Sequence, residues 1–201
     1  LLLSSEVWRL ENIFGTLAGA PVSGELKQAP KSDGLQNRGL LTGRLNFDRL
    51  SFAQLASLAL GVPQSLKPGA LWSDQKLALG LANPPETQID LTIARLDLLS
   101  DLQAQKAKLN LGLNTGIVRL QDFSAQLGEG EIGGDLTLRR DGANAALAGK
   151  LNLQRLAIDR PMLQASLSTS LDFTATGGTA LALINSLAGS GHLVLDQLRL
   201  P

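Results

Sequence analysis

Ile89-Asp90-Leu91-Thr92-Ile93 sets an aliphatic side chain at every second position and a polar one between. Successive side chains of a strand point to opposite faces, so this period of two describes a strand with one apolar and one wetted face. The same alternation runs through Lys108-Leu109-Asn110-Leu111-Gly112-Leu113 and Asp135-Leu136-Thr137-Leu138-Arg139. It returns in Ala148-Gly149-Lys150-Leu151-Asn152-Leu153 and in Leu193-Val194-Leu195. The spacing predicts that Ile89, Leu91, Ile93, Leu109, Leu111, Leu113, Leu136, Leu138, Leu151 and Leu153 share one apolar surface. Asp90, Thr92, Asn110, Thr137 and Asn152 then lie opposite.

Short turn signals separate these runs: Asn114-Thr115-Gly116, Gly128-Glu129-Gly130 and Asp141-Gly142. Strands of about ten residues joined by tight glycine turns describe a mainly β fold, a long, twisted antiparallel sheet with strands reaching roughly 35 Å. A β-bulge is expected near Gly128 to Gly134. Two segments break the period. Ser51 to Leu60 has Phe52, Leu55 and Leu58 at helical spacing, with Gly61 as a stop and Pro63 beyond. Thr179 to Ala188 has Leu181, Ile184 and Leu187 likewise, with Thr179 as N-cap and Gly189 as stop. Each reads as a short amphipathic helix (51–60 and 179–188) packed as a cap on the sheet. The stretch from Pro63 to Pro85 holds Pro63, Pro68, Pro84 and Pro85 and reads as a connection, with one short strand near Lys76 to Leu81.

The chain also repeats itself. Arg9-Leu10-Glu11-Asn12 matches Arg119-Leu120-Gln121-Asp122, and the register continues through Leu17 with Leu127, Val22 with Ile132, Gly24 with Gly134 and Leu26 with Leu136. Leu41-Thr42-Gly43-Arg44-Leu45-Asn46 then matches Leu147-Ala148-Gly149-Lys150-Leu151-Asn152, and Arg49-Leu50 falls on Arg155-Leu156. The slip between the two registers falls at Pro30 to Gly34, a longer turn. The organisation read from this is a first β-repeat unit over 1–62, a proline-rich connection over 63–86 and a second unit over 87–201. Together they form one continuous elongated array, a piece of a longer protein.

Composition narrows the function. Lys plus Arg and Asp plus Glu balance at 18 each, so the chain lacks the basic excess of a nucleic-acid binder, and Arg139-Arg140 beside Asp141 reads as a solvated turn. Cysteine is absent and His192 is the single histidine, which removes thiolate chemistry, Cys-based metal sites and most catalytic triads. No P-loop, H-E-x-x-H, G-x-S-x-G or dinucleotide turn occurs, and no run of about 18 apolar residues spans a bilayer. Aromatics are only 3% of residues, so the apolar surface is aliphatic. Asp90, Asp97 and Asp101, and Glu129 with Glu131, are the carboxylates an enzyme would have to use; solvated edges and turns account for them. No enzyme, metal or cofactor is expected.

From Ile93 to Pro201 the order of elements resembles the C-terminal repeat region of the AsmA family. The resemblance is carried by Leu102 to Leu113, by "GIVRLQDFSAQLGEGEIGGDLTL" (Gly116 to Leu138), by "AALAGKLNLQRLAI" (Ala145 to Ile158) and by "LSTSLDFTATGGTALALINSLAGSGHLVLDQLRL" (Leu167 to Leu200). The first half matches through "GTLAGAPVSGEL" and "GLLTGRLNFDRL". The resemblance implies a curved β-groove in the periplasm of a Gram-negative bacterium. It also implies tethering to the inner membrane by a segment absent from this sequence. Phospholipid or another acyl-chain lipid would be the partner, shielded on its way toward the outer membrane. The groove lining so implied is Ile89, Leu91, Ile93, Leu109, Leu111, Leu113, Val118, Leu120, Leu136, Leu138, Leu147, Leu151, Leu153, Leu167, Leu171, Phe173, Leu193 and Leu195. The competing reading is a non-catalytic structural or outer-membrane assembly module whose leucine stripes form a closed core.

Overall fold

A computed structural model describes residues 8–29, 39–60, 73–77, 85–99, 102–142, 144–160 and 163–199. The strands are β1 (Trp8–Leu17), β2 (Ala20–Ala29), β3 (Leu40–Ser51), β4 (Thr87–Leu99) and β5 (Leu102–Asn114). They continue as β6 (Ile117–Leu127), β7 (Gly130–Asp141), β8 (Asn144–Arg160), β9 (Leu163–Gly177) and β10 (Ala188–Arg199). Helix α1 (Phe52–Leu60) follows β3, and α2 (Ala180–Asn185) follows β9. All strands join one ten-stranded sheet in sequence order, and β1 and β10 are its edges rather than partners, so the sheet is not closed into a barrel. The longest strand, β8, has 17 residues and reaches about 55 Å when extended.

Every neighbouring pair is antiparallel except one. β3 and β4 run parallel, with Leu45 opposite Leu91 and Phe47 opposite Ile93. Parallel neighbours need a long crossover, and α1 with the proline-containing connection supplies it. The other eight neighbouring pairs are antiparallel, so the sheet is mostly antiparallel as the sequence predicts. The tight turns lie where the glycines stand: Gly116, Gly128 and Gly142 all have positive φ (70, 60 and 58°).

The expected bulge lies on a different strand. No register shift occurs in β7 across Gly130 to Gly134 relative to β8; the shift is in β6, between Leu120 and Phe123, directly opposite Gly134. Its residue is Asp122, at φ 54°. The same device recurs at Asn12, Lys106, Arg155 and Gln197, all polar residues at φ between 52 and 55°. Each such strand reads apolar-x-apolar-x-polar-apolar, as in Val118-Arg-Leu120-Gln-Asp122-Phe123 and Leu151-Asn-Leu153-Gln-Arg155-Leu156. A bulge puts two residues against one, so apolar side chains at i, i+2 and i+5 stay on one face although strict alternation breaks. β3 and β4 carry the same spacing in Leu45 to Leu50 and Leu91 to Leu96 without a positive φ, and Phe47, Leu50, Ile93 and Leu96 are all buried.

Each helix is tied to its end of the strands. Ser51 and Gln54 form a reciprocal cap at α1: the Ser51 N–H donates to Gln54 Oε1 at 2.8 Å and the Gln54 N–H to Ser51 Oγ at 3.2 Å. Gln54 Nε2 also reaches the Ala18 carbonyl at 3.0 Å, which fixes α1 to the β1–β2 turn. At α2, Thr179 Oγ1 accepts from the Ala182 N–H at 3.0 Å, the expected N-cap. The helix stops at Asn185 with Ser186 as C-cap, and Gly189 lies in β10 instead of ending the helix. Ser73 to Leu77 clasps this helix start: the Leu77 N–H donates to the Gly178 carbonyl, and the Leu181 N–H to the Ser73 carbonyl, each at 3.0 Å. Lys76 forms an isolated bridge with Thr179 and Leu77 is buried beside it; residues 78–81 of the expected strand, and Gly61, lie outside the described residues.

Candidate functional site

One row of cross-strand partners can be followed through all ten strands: Leu10, Leu26, Gly43, Ile89, Leu111, Leu120, Leu136, Gly149, Phe173 and Gly189. Cross-strand partners share a face. Every member is aliphatic, aromatic or glycine. One residue along each strand, the row is Arg9, Lys27, Thr42, Gln88, Gly112, Arg119, Thr137, Ala148, Thr174 and Ala188, which is largely polar. Parallel apolar rows flank the first. Val118, Leu138, Leu147 and Ala175 form one, Gly134, Leu151, Leu171 and Gly191 another, and Ile132, Leu153, Thr169 and Leu193 a third. Leu167 pairs with both Leu156 and Leu195. The register therefore places every residue named above as a lining candidate on this one face. Asp90, Thr92, Asn110, Thr137 and Asn152 lie on the other.

Exposure divides the apolar face. Over β3 to β7 it is largely buried, with Leu113, Leu120, Ile132 and Leu136 only partly so: Ile93 and Leu138 are 0% exposed, and Leu50, Leu91, Leu96, Leu109, Leu111 and Val118 are buried in one cluster with Leu55 of α1 and Leu183 of α2. Burying such a side chain stabilises by about 1.5–3 kcal/mol, so this part is core. Over β8 and β9 the same rows are half-buried, at Leu147, Leu151, Leu153, Leu167, Leu171 and Phe173. On β10 Leu193 is 64% and Leu195 43% exposed. Phe173 lies across Gly149, where a Cβ would stand 2.5 Å from its Cζ, so the aromatic ring carries the surface over the gap.

α2 rests on this face. A Cβ on Gly177 would stand 2.7 Å from Ala182 Cβ, so only glycine admits the helix so close. The helix buries Ala180 and Leu183, whereas Leu181, Ile184 and Leu187 are exposed. The expectation that those three form its packed side is thus corrected: a six-residue helix seated on Gly177 turns its 180/183 side down. In α1 Leu55 is buried as expected and Phe52 is exposed.

The opposite face holds ordinary solvated pairs. Asn110 Nδ2 donates to Asp90 Oδ1 at 2.9 Å, and Lys150 Nζ stands 3.4 Å from Asp172 Oδ1. Arg49 Nε donates to Asp97 Oδ2 and Gln103 Nε2 to Asp97 Oδ1, both at 2.7 Å, bracing β3, β4 and β5 where their alternation breaks. These bonds hold the Asp97 carboxyl below its ordinary pKa, the Arg49 contact first, and raise Arg49 above its own. A carboxylate kept ionised in this way is a brace rather than a proton donor. Glu129 and Glu131 are exposed at a turn and a strand start, Asp101 lies outside the described residues, and His192 is exposed on β10. Among the described residues no group of His, Cys, Asp and Glu could hold a metal. One concavity of about 590 Å³ opens around Asp135, Lys150 and Asp172, and its lining also includes Leu136, Ala148, Phe173 and Ala188.

Arg139 and Arg140 separate. Arg139 is exposed on the polar face, while Arg140 is half-buried and, in register with Ala145 two residues beyond Leu138, lies on the apolar one. The reading of both as a solvated turn is corrected for Arg140; the parity of Leu136, Leu138 and Arg140 was the available signal.

The described residues form one open ten-stranded sheet with a continuous apolar face, which defines a mainly β protein. The model of the AsmA family matches residues 62–197, most of the chain, and the protein belongs to that envelope-associated family. Neither the curated proteins nor the solved structures contain a match to the chain. Among the described residues no helix is long and apolar enough to cross a membrane.

Proposed function

We propose that this chain is a segment of a periplasmic lipid-transfer protein of a Gram-negative bacterium, and that its apolar face shields the acyl chains of phospholipid. The observation that carries the reading is the uninterrupted apolar row across all ten strands, which is buried at Ile89 and Leu111 and comes to the surface at the edges, at Leu10 on β1 and beside Leu193 and Leu195 on β10. Exposing an acyl chain to water costs about 0.8 kcal/mol per methylene. A track of leucines offsets that cost without selecting one chain shape. The buried region over β3 to β5 favours the structural reading for that part: it is the scaffold, and the lipid surface is the half-open one centred on β8, β9 and β10. No catalytic step belongs to this function.

His192 and Leu193 are neighbours on opposite faces of β10 and so provide the test. A photo-crosslinking phenylalanine analogue at 193 captures phospholipid in the cell envelope, and the same analogue at 192 does not. Equal capture at both, or at neither, rejects the reading.

A further inference from the structure

β10 is an edge strand without the usual guards of an edge. Among the described residues it pairs with β9 alone, and every residue from Ala188 to Gln197 is exposed. A free edge is a template for another strand, and stable edges are normally blunted by lysine, proline or a bulge. The stretch from Ala188 to Asp196 has no Lys, Arg or Pro and no register shift; the bulge residue, Gln197, comes only after it. The other edge, β1, is guarded: an Arg9–Glu11 ion pair at 3.2 Å stands beside the bulge at Asn12. Aliphatic side chains also lie on both faces of β10. Leu193 and Leu195 belong to the apolar face, whereas Val194, 50% exposed, stands in the polar row of Ser168.

The Thr169 hydroxyl donates to the His192 carbonyl at 2.9 Å, so the main-chain groups of His192 face β9. Those of successive residues point to opposite sides of a strand, which turns the N–H and C=O of Leu193 and Leu195 outward. His192 and Asp196 flank Val194 symmetrically on the polar face. Roughly 13 Å apart along the strand, they cannot meet within one chain. Neither side chain has a hydrogen bond or ion pair among the described residues.

We propose that β10 pairs antiparallel with β10 of a second copy of this chain, about a two-fold axis at Val194. Leu193 then exchanges main-chain hydrogen bonds with Leu195 of the second copy. The two Val194 side chains form a non-hydrogen-bonded pair, the kind whose side chains come closest. The same register sets His192 opposite Asp196 twice, an imidazole N–H against a carboxylate. It also sets Gly191, which has no side chain to obstruct, opposite the left-handed Gln197. This complementarity about one residue selects a second copy over an unrelated strand. The axis is perpendicular to the sheet, so both apolar faces lie on one side and the half-open surface of β8 to β10 doubles in width. The inference does not depend on lipid binding.

The test is sedimentation velocity of the 201-residue chain from about 1 to 500 µM. The paired stretch is short, so a dimer with Kd on the order of 10–100 µM is expected. His192→Asp sets carboxylates face to face and should weaken the dimer about tenfold, and adding Asp196→His should restore it. The chain has no cysteine, so Val194→Cys reports the register. Its thiols would stand at disulfide distance across the axis, and mild oxidation should give a covalent dimer. Phe14→Cys, on β1, should stay monomeric under the same treatment. A wild type that is monomeric throughout overturns the inference and leaves the lipid reading standing. A dimer that Val194→Cys does not lock, or that the charge exchange does not restore, overturns it as well, because the copies then meet elsewhere.

Discussion

Gly24 and Gly134 are structural equivalents: their φ angles are 155 and 157°, and a Cβ on either would stand 2.0 Å from a carbonyl oxygen of the next strand. Those carbonyls belong to Arg44 and Lys150, residues that also match in the sequence repeat. Each glycine sits opposite the residue that follows a bulge, Ile13 in one case and Phe123 in the other. The β1–β3 stretch and the β6–β8 stretch therefore share one construction: bulge, glycine, close strand approach.

Gly134→Ala should destabilise by about 2–4 kcal/mol, because it combines backbone strain with a collision against main chain that cannot move aside. Gly24→Ala should cost a similar amount. At Gly112 a Cβ meets only Arg119 atoms at 3.7 Å or more, so Gly112→Ala should stay within about 0.5 kcal/mol of wild type. Urea unfolding of the three variants checks the order.

The faces of the sheet were legible from sequence because period two survives pairing: Ile89, Leu111 and Leu136 were read from separate strands and proved to lie in one row. The parallel β3–β4 pair was not legible, since alternation says nothing of strand direction and the crossover has no strong period. The bulges were misplaced because glycine was sought where Asp122 and Arg155 take up the positive φ; their signature is the i, i+2, i+5 spacing of apolar residues. Exposure was illegible for another reason. Leu138 and Leu193 look alike in sequence, but one belongs to the buried cluster and the other lies on an edge strand.

A left-handed bulge residue tolerates Asn or Gly and resists β-branching. Asp122→Asn should be nearly neutral, although the Asp122 N–H bond to Asp135 Oδ1 at 2.9 Å remains in both. Asp122→Val should destabilise by about 1–3 kcal/mol. Thermal unfolding of the pair separates the conformational effect from the loss of charge.

The Asp97 carboxyl titrates below its ordinary value, so its contribution is present above the unfolded carboxylate pKa and is lost as the pH falls through the folded one. Asp97→Asn should be slightly less stable than wild type at pH 7, and the two should converge as the pH falls below about 4. The pair is exposed, so the difference is small and shrinks in high salt. Denaturant midpoints across pH measure it.

Removing the caps should loosen each helix without touching the sheet. Ser51→Ala and Thr179→Ala should each cost about 1 kcal/mol. Hydrogen exchange should show the Ser51 change at α1 and the Thr179 change at α2 and the Ser73–Leu77 clasp, with β5 and β6 protected as before.

The most direct test of the central claim compares two substitutions on the same apolar face by native mass spectrometry and thermal melting. Leu138 is fully buried, so Leu138→Asp should unfold the chain, at a cost above about 4 kcal/mol. Leu193→Asp combined with Leu195→Asp lies on the exposed part of the face, where melting should shift by only about 2–4 °C. The account predicts that wild type purified from membranes carries phospholipid and that the folded double variant carries none. A folded double variant with the same lipid as wild type would contradict it, as would a wild type that emerges without lipid.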